Sequence, residues 1–177
     1  MELSSELKEK LKKIKLLLLD VDGVLTDGRI VYGNYGDELK FFDVQDGFGL
    51  VLLHQAGLKA VIVSAKKSKV NLRRAKEIRI AKVYQNVRDK LKVLQKVERK
   101  WGVDREEICF IGDDLMDLPL LSRVGFAAAV RNAVPDVKEK AHYVTERFGG
   151  RGAVREVADL ILKAQGKWEQ VTQNYFL

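Results

Sequence analysis

The sequence is poor in cysteine and proline, with one cysteine and two prolines among 177 residues. A single cysteine excludes an intramolecular disulfide framework, and Cys109 lies in the apolar run 108–111, which predicts a buried structural thiol. No apolar run approaches the roughly 20 residues that span a bilayer, and the charged N-terminus lacks the apolar stretch of a secretory signal. We therefore expect a cytoplasmic protein, without membrane contact, that forms one domain over residues 1–177.

The net charge of +7 is compatible with two kinds of partner. One is nucleic acid, and the other is a small anionic substrate. Basic residues are spread along the chain and alternate with acidic ones, as in 8–10 and 98–100, without a basic stripe that carries interleaved aromatic residues. This pattern disfavours nucleic acid as a partner.

Short apolar runs alternate with segments of helical period along most of the chain. Such alternation favours right-handed crossovers, and continuously apolar runs are typical of parallel strands buried on both faces. We predict an α/β fold with a doubly wound, three-layer parallel sheet. The predicted strands are 16–19, 61–63, 83–84, 108–111, 126–130 and 143–144, and the predicted helices are 3–14, 47–55, 67–76, 86–101, 115–122, 135–140 and 152–165.

The segment 29–42 departs from this alternation. Two strand-like stretches flank a turn rich in glycine and asparagine, which predicts a β-hairpin. An isolated hairpin is only marginally stable in water. We therefore expect the hairpin to pack on another surface, such as a neighbouring subunit.

Polar and charged residues follow four of the predicted strands. Asp20-Val-Asp22 follows the first strand, Ser64 follows the second, Lys90 lies in the loop and helix start after the third, and Gly112-Asp-Asp-Leu-Met-Asp117 follows the fourth. In open α/β sheets, ligands bind outside the carboxyl ends of the strands. The topology therefore brings these groups to one edge of the sheet.

These residue types suit hydrolysis of a phosphate ester assisted by magnesium. Mg²⁺ prefers oxygen ligands, so Asp20 and Asp113 are the expected protein ligands, with the backbone carbonyl of Asp22 as a third. Asp20 would attack phosphorus to form an aspartyl-phosphate, and Asp22 would protonate the leaving oxygen. Lys90 would supply positive charge and Ser64 a hydroxyl donor to the phosphoryl oxygens.

Each element taken alone has a simpler explanation. Loop aspartates commonly sit in turns or cap helices, and this applies above all to Asp114 and Asp117, to which we assign only a supporting role. A calcium loop beginning at Asp20 is disfavoured because Leu25 and Val31 stand where that motif needs Gly and Glu. The four elements in this order favour an enzyme over a non-catalytic oligomerisation module of the same fold.

The strand-end motifs resemble the four ordered motifs of the haloacid dehalogenase superfamily. The chain is also similar to the 3-deoxy-D-manno-octulosonate 8-phosphate phosphatases within it, in the hairpin stretch 33–40, in 43–49 and in 149–159. The resemblance implies a Rossmann-like fold and Mg²⁺-dependent release of phosphate from that sugar acid phosphate in lipopolysaccharide biosynthesis. A phosphatase for a nine-carbon sugar acid 9-phosphate of the sialic acid type remains an alternative.

The resemblance also implies an assembly. The gaps between the motifs leave room for the hairpin but for no large cap domain, so the site would stand open in a monomer. In the resembled family, a homotetramer covers each site with elements of neighbouring subunits, a role here for the hairpin and for residues after Gly149, including a tail from about residue 166. The residues implied to contact substrate are Asp22, Asp43, Val44, Gln45, Asp46, Gly47, Lys66, Arg74 and Lys90, with Lys66 and Arg74 reaching it from an adjacent subunit.

The chain departs from the family pattern at two places. Ser64-Ala65-Lys66 replaces the usual Thr-Gly-Arg, which keeps the hydroxyl and the charge but loses the two-pronged grip of arginine on a carboxylate. Val51 stands where a basic residue is common. These departures affect the predicted substrate more than the predicted reaction. For Lys66 and Arg74, an ordinary helix surface is the alternative interpretation.

Overall fold

A computed structural model describes residues 3–176, so Met1, Glu2 and Leu177 of the predicted domain lie outside the described residues. The strands are β1 (Leu16–Leu19), β2 (Val31–Tyr32), β3 (Glu38–Leu39), β4 (Lys59–Val63), β5 (Lys82–Tyr84), β6 (Ile108–Gly112), β7 (Phe126–Ala129) and β8 (Tyr143–Val144). Six of them form a parallel sheet in the order β5-β4-β1-β6-β7-β8, and β2 pairs with β3 as an antiparallel hairpin.

The helices cover the sheet in two layers. They are α1 (Ser5–Lys12), α2 (Val44–Gln55), α3 (Lys69–Glu77), α4 (Lys90–Trp101), α5 (Leu118–Leu121), α6 (Pro135–Lys140), α7 (Ala153–Ala164) and α8 (Trp168–Thr172). In one layer, α7 packs against α1, α2 and α8, and in the other α5 packs against α4 and α6. The predicted three-layer α/β fold is confirmed. Among the described helices, none has the length and apolar character needed to cross a membrane.

The central strand β1 explains why the site has a firm base. All four leucines of β1 have no exposed surface, and the strand lies between β4 and β6, with Leu16 opposite Lys59 on one side and Ile108 on the other. Burial of a leucine side chain stabilises a fold by roughly 1.5–3 kcal/mol. The loop that follows β1 is therefore attached to one of the most deeply buried parts of the molecule.

The predicted elements differ from the observed ones mainly at their ends. The helix expected from residue 86 begins at Lys90, because Asn86 has a positive φ of 56° and Asp89 caps the helix by accepting the N–H of Leu91. The helix expected over 115–122 is a 3-10 turn (Leu115–Asp117) followed by α5. The tail contains α8, which the sequence pattern did not predict.

The hairpin begins beside the loop after β1. An isolated antiparallel bridge joins Thr26 in that loop to Phe42, just past the end of β3. The base of the hairpin is thus fixed against the carboxyl edge of the sheet, where β1, β4, β5 and β6 all end.

Candidate active site

The loop after β1 is held in shape by its own hydrogen bonds. The buried Thr26 hydroxyl donates to the Val21 carbonyl at 3.4 Å and accepts the N–H of Gly23 at 3.3 Å. Asp20 Oδ1 accepts the N–H of Val21 at 2.7 Å. One oxygen of Asp20 is therefore oriented by the backbone, while the other faces the neighbouring strand ends.

Gly23 allows this loop to touch the loop after β6. Its φ is +92°, and a Cβ atom placed on it would lie 2.0 Å from Asp113 Oδ2. Both the backbone conformation and the missing side chain are therefore required. The sequence analysis assigned no role to Gly23, and the signal for this one was its position directly after Asp22 in the predicted carboxylate cluster.

Three carboxylates and one lysine meet at the carboxyl edge of the sheet. Asp20, Asp113 and Asp117 each offer an oxygen within 4.8 Å of the others. The ammonium group of Lys90 lies 2.9 Å from Asp20 Oδ2 and 2.5 Å from Asp117 Oδ1, and its side chain is almost fully buried. Lys90 is the first residue of α4, so the helix start fixes where this charge enters the site. We call these four residues the carboxylate site.

Asp117 contributes more to this site than the supporting role predicted for it. While Oδ1 accepts from Lys90, Oδ2 accepts the N–H of Asp113 at 2.9 Å and that of Asp114 at 3.4 Å. With both oxygens engaged, Asp117 positions Lys90 and the loop, which leaves Asp20 and Asp113 to bind a cation. Asp114 itself caps the 3-10 turn by accepting the N–H of Leu115.

The electrostatics of the carboxylate site favour a divalent cation. Burial, together with the charges of Asp117, Asp20 and Asp114, raises the pKa of Asp113 to about 8, and Asp113 Oδ1 is buried without a hydrogen-bond partner. Burial also raises the pKa of Asp20, although Lys90 opposes it. One lysine cannot neutralise three carboxylates, whereas the lysine and a divalent cation with oxygen ligands together can.

The side chain of Asp22 lies outside this cluster. Asp22 Oδ1 is 2.5 Å from the ammonium group of Lys40, which follows β3 of the hairpin. The predicted metal ligand at this residue was the backbone carbonyl, so the carboxylate is available for another task. Proton transfer to a leaving oxygen is the task that the sequence analysis assigned to it.

Comparisons with known proteins identify the family of this chain. The model of the haloacid dehalogenase-like hydrolases matches residues 54–154. The 3-deoxy-D-manno-octulosonate 8-phosphate phosphatase of Yersinia pestis is 43% identical over 164 residues, which are 93% of this chain and 88% of the relative. The chain belongs to this family of haloacid dehalogenase-like phosphatases.

Solved structures of this family have the same fold. The phosphatase from Moraxella catarrhalis, in complex with a magnesium ion, a phosphate ion and KDO, is 40% identical with a TM-score of 0.95, and the match covers 98% of this chain and 99% of that one. The cobalt-bound phosphatase from Haemophilus influenzae is 36% identical with a TM-score of 0.88, covering 94% and 98%.

Ser64 and Lys66, two of the predicted site residues, follow β4 and contact groups of their own chain. The Ser64 hydroxyl is buried and donates to the Lys66 carbonyl while accepting the Lys66 N–H, both at 3.2 Å. The ammonium group of Lys66 lies 2.7 Å from Glu38 Oε1 and 2.9 Å from the Tyr32 hydroxyl. Lys66 therefore contacts the hairpin of its own chain, and the Ser64 hydroxyl shapes the turn that leads from β4 to Lys66.

The predicted substrate segment 43–47 forms the start of α2. Asp43 caps the helix by accepting the N–H of Gln45 at 2.6 Å, and the side chain of Gln45 accepts from Arg147 at 3.3 Å. Val44 is 82% exposed. Val44 and Gln45 are the exposed residues of this segment, available to a ligand or to a neighbouring subunit.

Gly47 and Arg74 are packed against one another. The Arg74 guanidinium donates to the Asp43 carbonyl at 2.9 Å, and a Cβ on Gly47 would lie 2.3 Å from Arg74 Nη2. Arg74 thus ties α3 to the start of α2 in the same chain. Arg74 is therefore more than an ordinary helix surface residue, and its contact with substrate stays a prediction.

Asp46 departs from the predicted substrate contact. Its side chain has no exposed surface, and its two oxygens accept the N–H groups of Gly152 at 3.2 Å and Arg155 at 2.8 Å at the start of α7. Burial raises its pKa to about 6. A carboxylate enclosed in this way anchors α7 rather than meeting substrate. The family resemblance placed Asp46 near the substrate without showing which way its side chain faces.

The glycine-rich loop before α7 braces the loop after β1. A Cβ on Gly149 would lie 1.7 Å from the Gly23 carbonyl, and Gly150 donates its N–H to the Val24 carbonyl at 2.8 Å. Asn132 joins both loops, because it accepts the N–H of Gly149 at 2.7 Å and donates to the Gly23 carbonyl at 3.4 Å. The stretch that was expected to reach a neighbour therefore supports its own chain's site first.

Proposed function

We propose that this chain hydrolyses 3-deoxy-D-manno-octulosonate 8-phosphate to the free sugar acid and phosphate, in the cytoplasm, for lipopolysaccharide biosynthesis. The observation that carries the proposal is Lys90, buried between Asp20 and Asp117 beside Asp113. A scaffold protein has no need for a buried lysine among three carboxylates. The name of the Yersinia relative and the KDO, phosphate and magnesium in the Moraxella structure supply the substrate class and the ion.

Magnesium fits the donor set of this site. Asp20 and Asp113 would hold the ion, with the backbone carbonyl of Asp22 as a further ligand. Asp113 Oδ1 is buried without a hydrogen-bond partner, so it is available as a ligand atom. When bound, the ion offsets the repulsion between the carboxylates and the substrate phosphate. The remaining chemistry is supplied by side chains of this chain.

Asp20 acts as the nucleophile. A carboxylate oxygen of Asp20 attacks phosphorus, the bond from phosphorus to the sugar oxygen breaks, and an aspartyl-phosphate forms. Asp22 donates a proton to the leaving oxygen and then accepts one from the water that hydrolyses the intermediate. Lys90 stabilises the phosphoryl oxygens, since a charge pair 4 Å apart gains about 4 kcal/mol at an effective dielectric near 20.

We also propose that the protein is a homotetramer in which hairpins meet and neighbours cover each site. The support is the exposed apolar surface of the hairpin: Tyr35 is 99% exposed, and Leu39 and Phe41 are more than half exposed. Contiguous exposed apolar surface marks interaction sites. We expect light scattering to give the tetramer mass, and a strict monomer at micromolar concentration would contradict the proposal.

We propose that residues 1–177 act as a single domain, including the tail. The ring of Tyr175 packs edge-on against Phe48 of α2, with centroids 5.3 Å apart, and α8 packs against α2 and α7. Phe176 stays 79% exposed, so the last described residue is available to a neighbouring subunit.

A nine-carbon sugar acid 9-phosphate is the second candidate substrate. It too carries a carboxylate and a terminal phosphate, so basic residues alone do not separate the two acids, and the departures at Lys66 and Val51 weaken the assignment of the eight-carbon substrate. Both substrates require the same carboxylate site. Only relative rates separate them.

The test is hydrolysis of an aryl phosphate and of the two sugar acid phosphates, with and without magnesium. We expect activity with Mg²⁺, loss on chelation, loss in Asp20→Asn, and little change in the matched control Asp136→Asn, which removes an exposed charge from the first turn of α6. The ratio of kcat/KM values for the eight- and nine-carbon esters identifies the substrate. Lack of turnover with every divalent ion would favour the scaffold interpretation.

A further inference from the structure

A second buried lysine, Lys40, lies beside the carboxylate site without being part of it. The side chain of Lys40 has no exposed surface, and its ammonium group lies 2.5 Å from Asp22 Oδ1. The next acid, Glu38, is 3.9 Å away and is itself held at 2.7 Å by Lys66. The charge of Lys40 is therefore directed at Asp22.

A buried ammonium group is costly unless it is paired, so this contact is a requirement of the fold and not an incidental surface pair. A lysine on an exposed hairpin normally extends its long side chain to solvent. Lys40 turns inward instead, toward the loop after β1. The bridge between Thr26 and Phe42 fixes its backbone two residues away, so the direction is built into the base of the hairpin.

The two buried lysines bind different carboxylates at this edge of the sheet. Lys90 binds Asp20 and Asp117, and Lys40 binds Asp22, only two residues along the chain from Asp20. Without Lys40, Asp22 could rotate toward the same cation as Asp20 and Asp113. A third carboxylate ligand there would no longer be free to protonate the leaving oxygen.

We propose that Lys40 is a positioning residue that holds the Asp22 carboxylate outside the cation site, where it meets the leaving oxygen of the substrate. The proposal rests on the proposed phosphatase function. It assigns to the hairpin a part in proton transfer, in addition to any part in assembly. Lys40 acts through Asp22 and need not contact substrate.

Leaving-group dependence tests this role, because a sugar alkoxide needs a proton to leave whereas an activated phenolate leaves without one. Lys40→Met keeps an unbranched side chain that is one atom shorter and removes the charge. We expect kcat for the sugar acid phosphate to fall about 100-fold, the size of a typical general-acid contribution, while kcat for p-nitrophenyl phosphate changes less than about threefold. KM should change little for both esters.

Two further variants separate positioning from folding. Asp22→Asn/Lys40→Met removes both charges together and so avoids a buried unpaired group, and it should be no slower than Asp22→Asn alone, since residues that act as a unit are non-additive. Lys59→Met removes an exposed lysine at the opposite edge of the sheet and should leave both rates unchanged.

The outcomes distinguish this proposal from the function on which it rests. A wild-type protein that hydrolyses neither ester overturns both. With an active wild type, equal losses on the two esters in Lys40→Met, or additive losses in the double variant, overturn the positioning role alone. Should Lys40→Met fail to fold, the double variant decides.

Discussion

The carboxylate site and the hairpin are neighbours, yet they are built in opposite ways. Lys90 is almost fully buried and bonded to two aspartates that the sheet and its loops fix in place. The hairpin has two strands of two residues each and presents exposed aromatic rings, with Tyr32 69% exposed. Buried, satisfied networks are rigid, whereas short hairpins depend on outside contacts. The proposed chemistry is thus contained in one chain, while enclosure of the substrate depends on assembly.

The largest effect is expected from Lys90→Met in the carboxylate site. Removal of one partner from a buried ion pair typically costs about 3–5 kcal/mol, because Asp20 and Asp117 are left uncompensated. We expect a loss of that size in urea denaturation without magnesium, and at least a 100-fold loss of aryl phosphate hydrolysis. Adding Asp117→Asn should recover stability but not activity. Wild-type rates in Lys90→Met would show that the buried lysine is structural only.

The hairpin should behave in the opposite manner. Tyr35→Ser/Leu39→Ser removes two exposed apolar side chains of the hairpin, so we expect smaller assemblies by light scattering with aryl phosphate hydrolysis largely retained. Loss of the covering neighbour should raise KM for the sugar acid phosphate about tenfold, which corresponds to about 1.4 kcal/mol. Val144→Ser, on an edge strand away from the hairpin, is the control. Unchanged mass would remove the hairpin from the interface.

The contrast between the two regions also explains what could be predicted from the sequence. Asp20, Lys90 and Asp113 are far apart in the chain, but each of them follows a strand of the parallel sheet. Right-handed crossovers bring the carboxyl ends of such strands to one edge, so a correct list of strands was enough to predict that these residues meet. The directions of individual side chains follow from loop packing, which periodicity does not encode. For this reason the pairing of Lys40 with Asp22 and the inward turn of Asp46 were not foreseen.

The pH dependence of the stability of the metal-free protein measures charge repulsion in the carboxylate site. The pKa of Asp113 is raised from 3.8 to about 8, chiefly by burial and then by Asp117 and Asp20. Between these values the folded state holds a proton that the unfolded chain lacks, so the stability of the metal-free protein falls as pH rises from about 4 to 8.

Asp113→Asn should therefore raise the melting temperature at pH 8.5 without magnesium by a few degrees, and should change it less at pH 5. The same substitution removes a ligand, so magnesium should no longer raise the melting temperature. Thermal denaturation at the two pH values, with and without Mg²⁺, measures both effects, and Asp136→Asn, at an exposed position in the first turn of α6, is the control. A lower melting temperature for Asp113→Asn at pH 8.5 would contradict the charge repulsion inferred here.

The smallest effect on activity is expected at Asp46, where the family resemblance and the structure give different answers. As a substrate contact, Asp46→Ala would raise KM for the sugar acid phosphate by tenfold or more, with little change in stability. As the buried cap of α7, it should cost about 1–2 kcal/mol of stability, as loss of a helix cap does, and leave KM within about twofold below the melting temperature. Ser4→Ala removes the cap of α1, far from the site, and calibrates the cost of a lost cap. Because Asp46 has no exposed surface, we expect the loss of stability. A rise in KM without loss of stability would instead show that Asp46 contacts substrate.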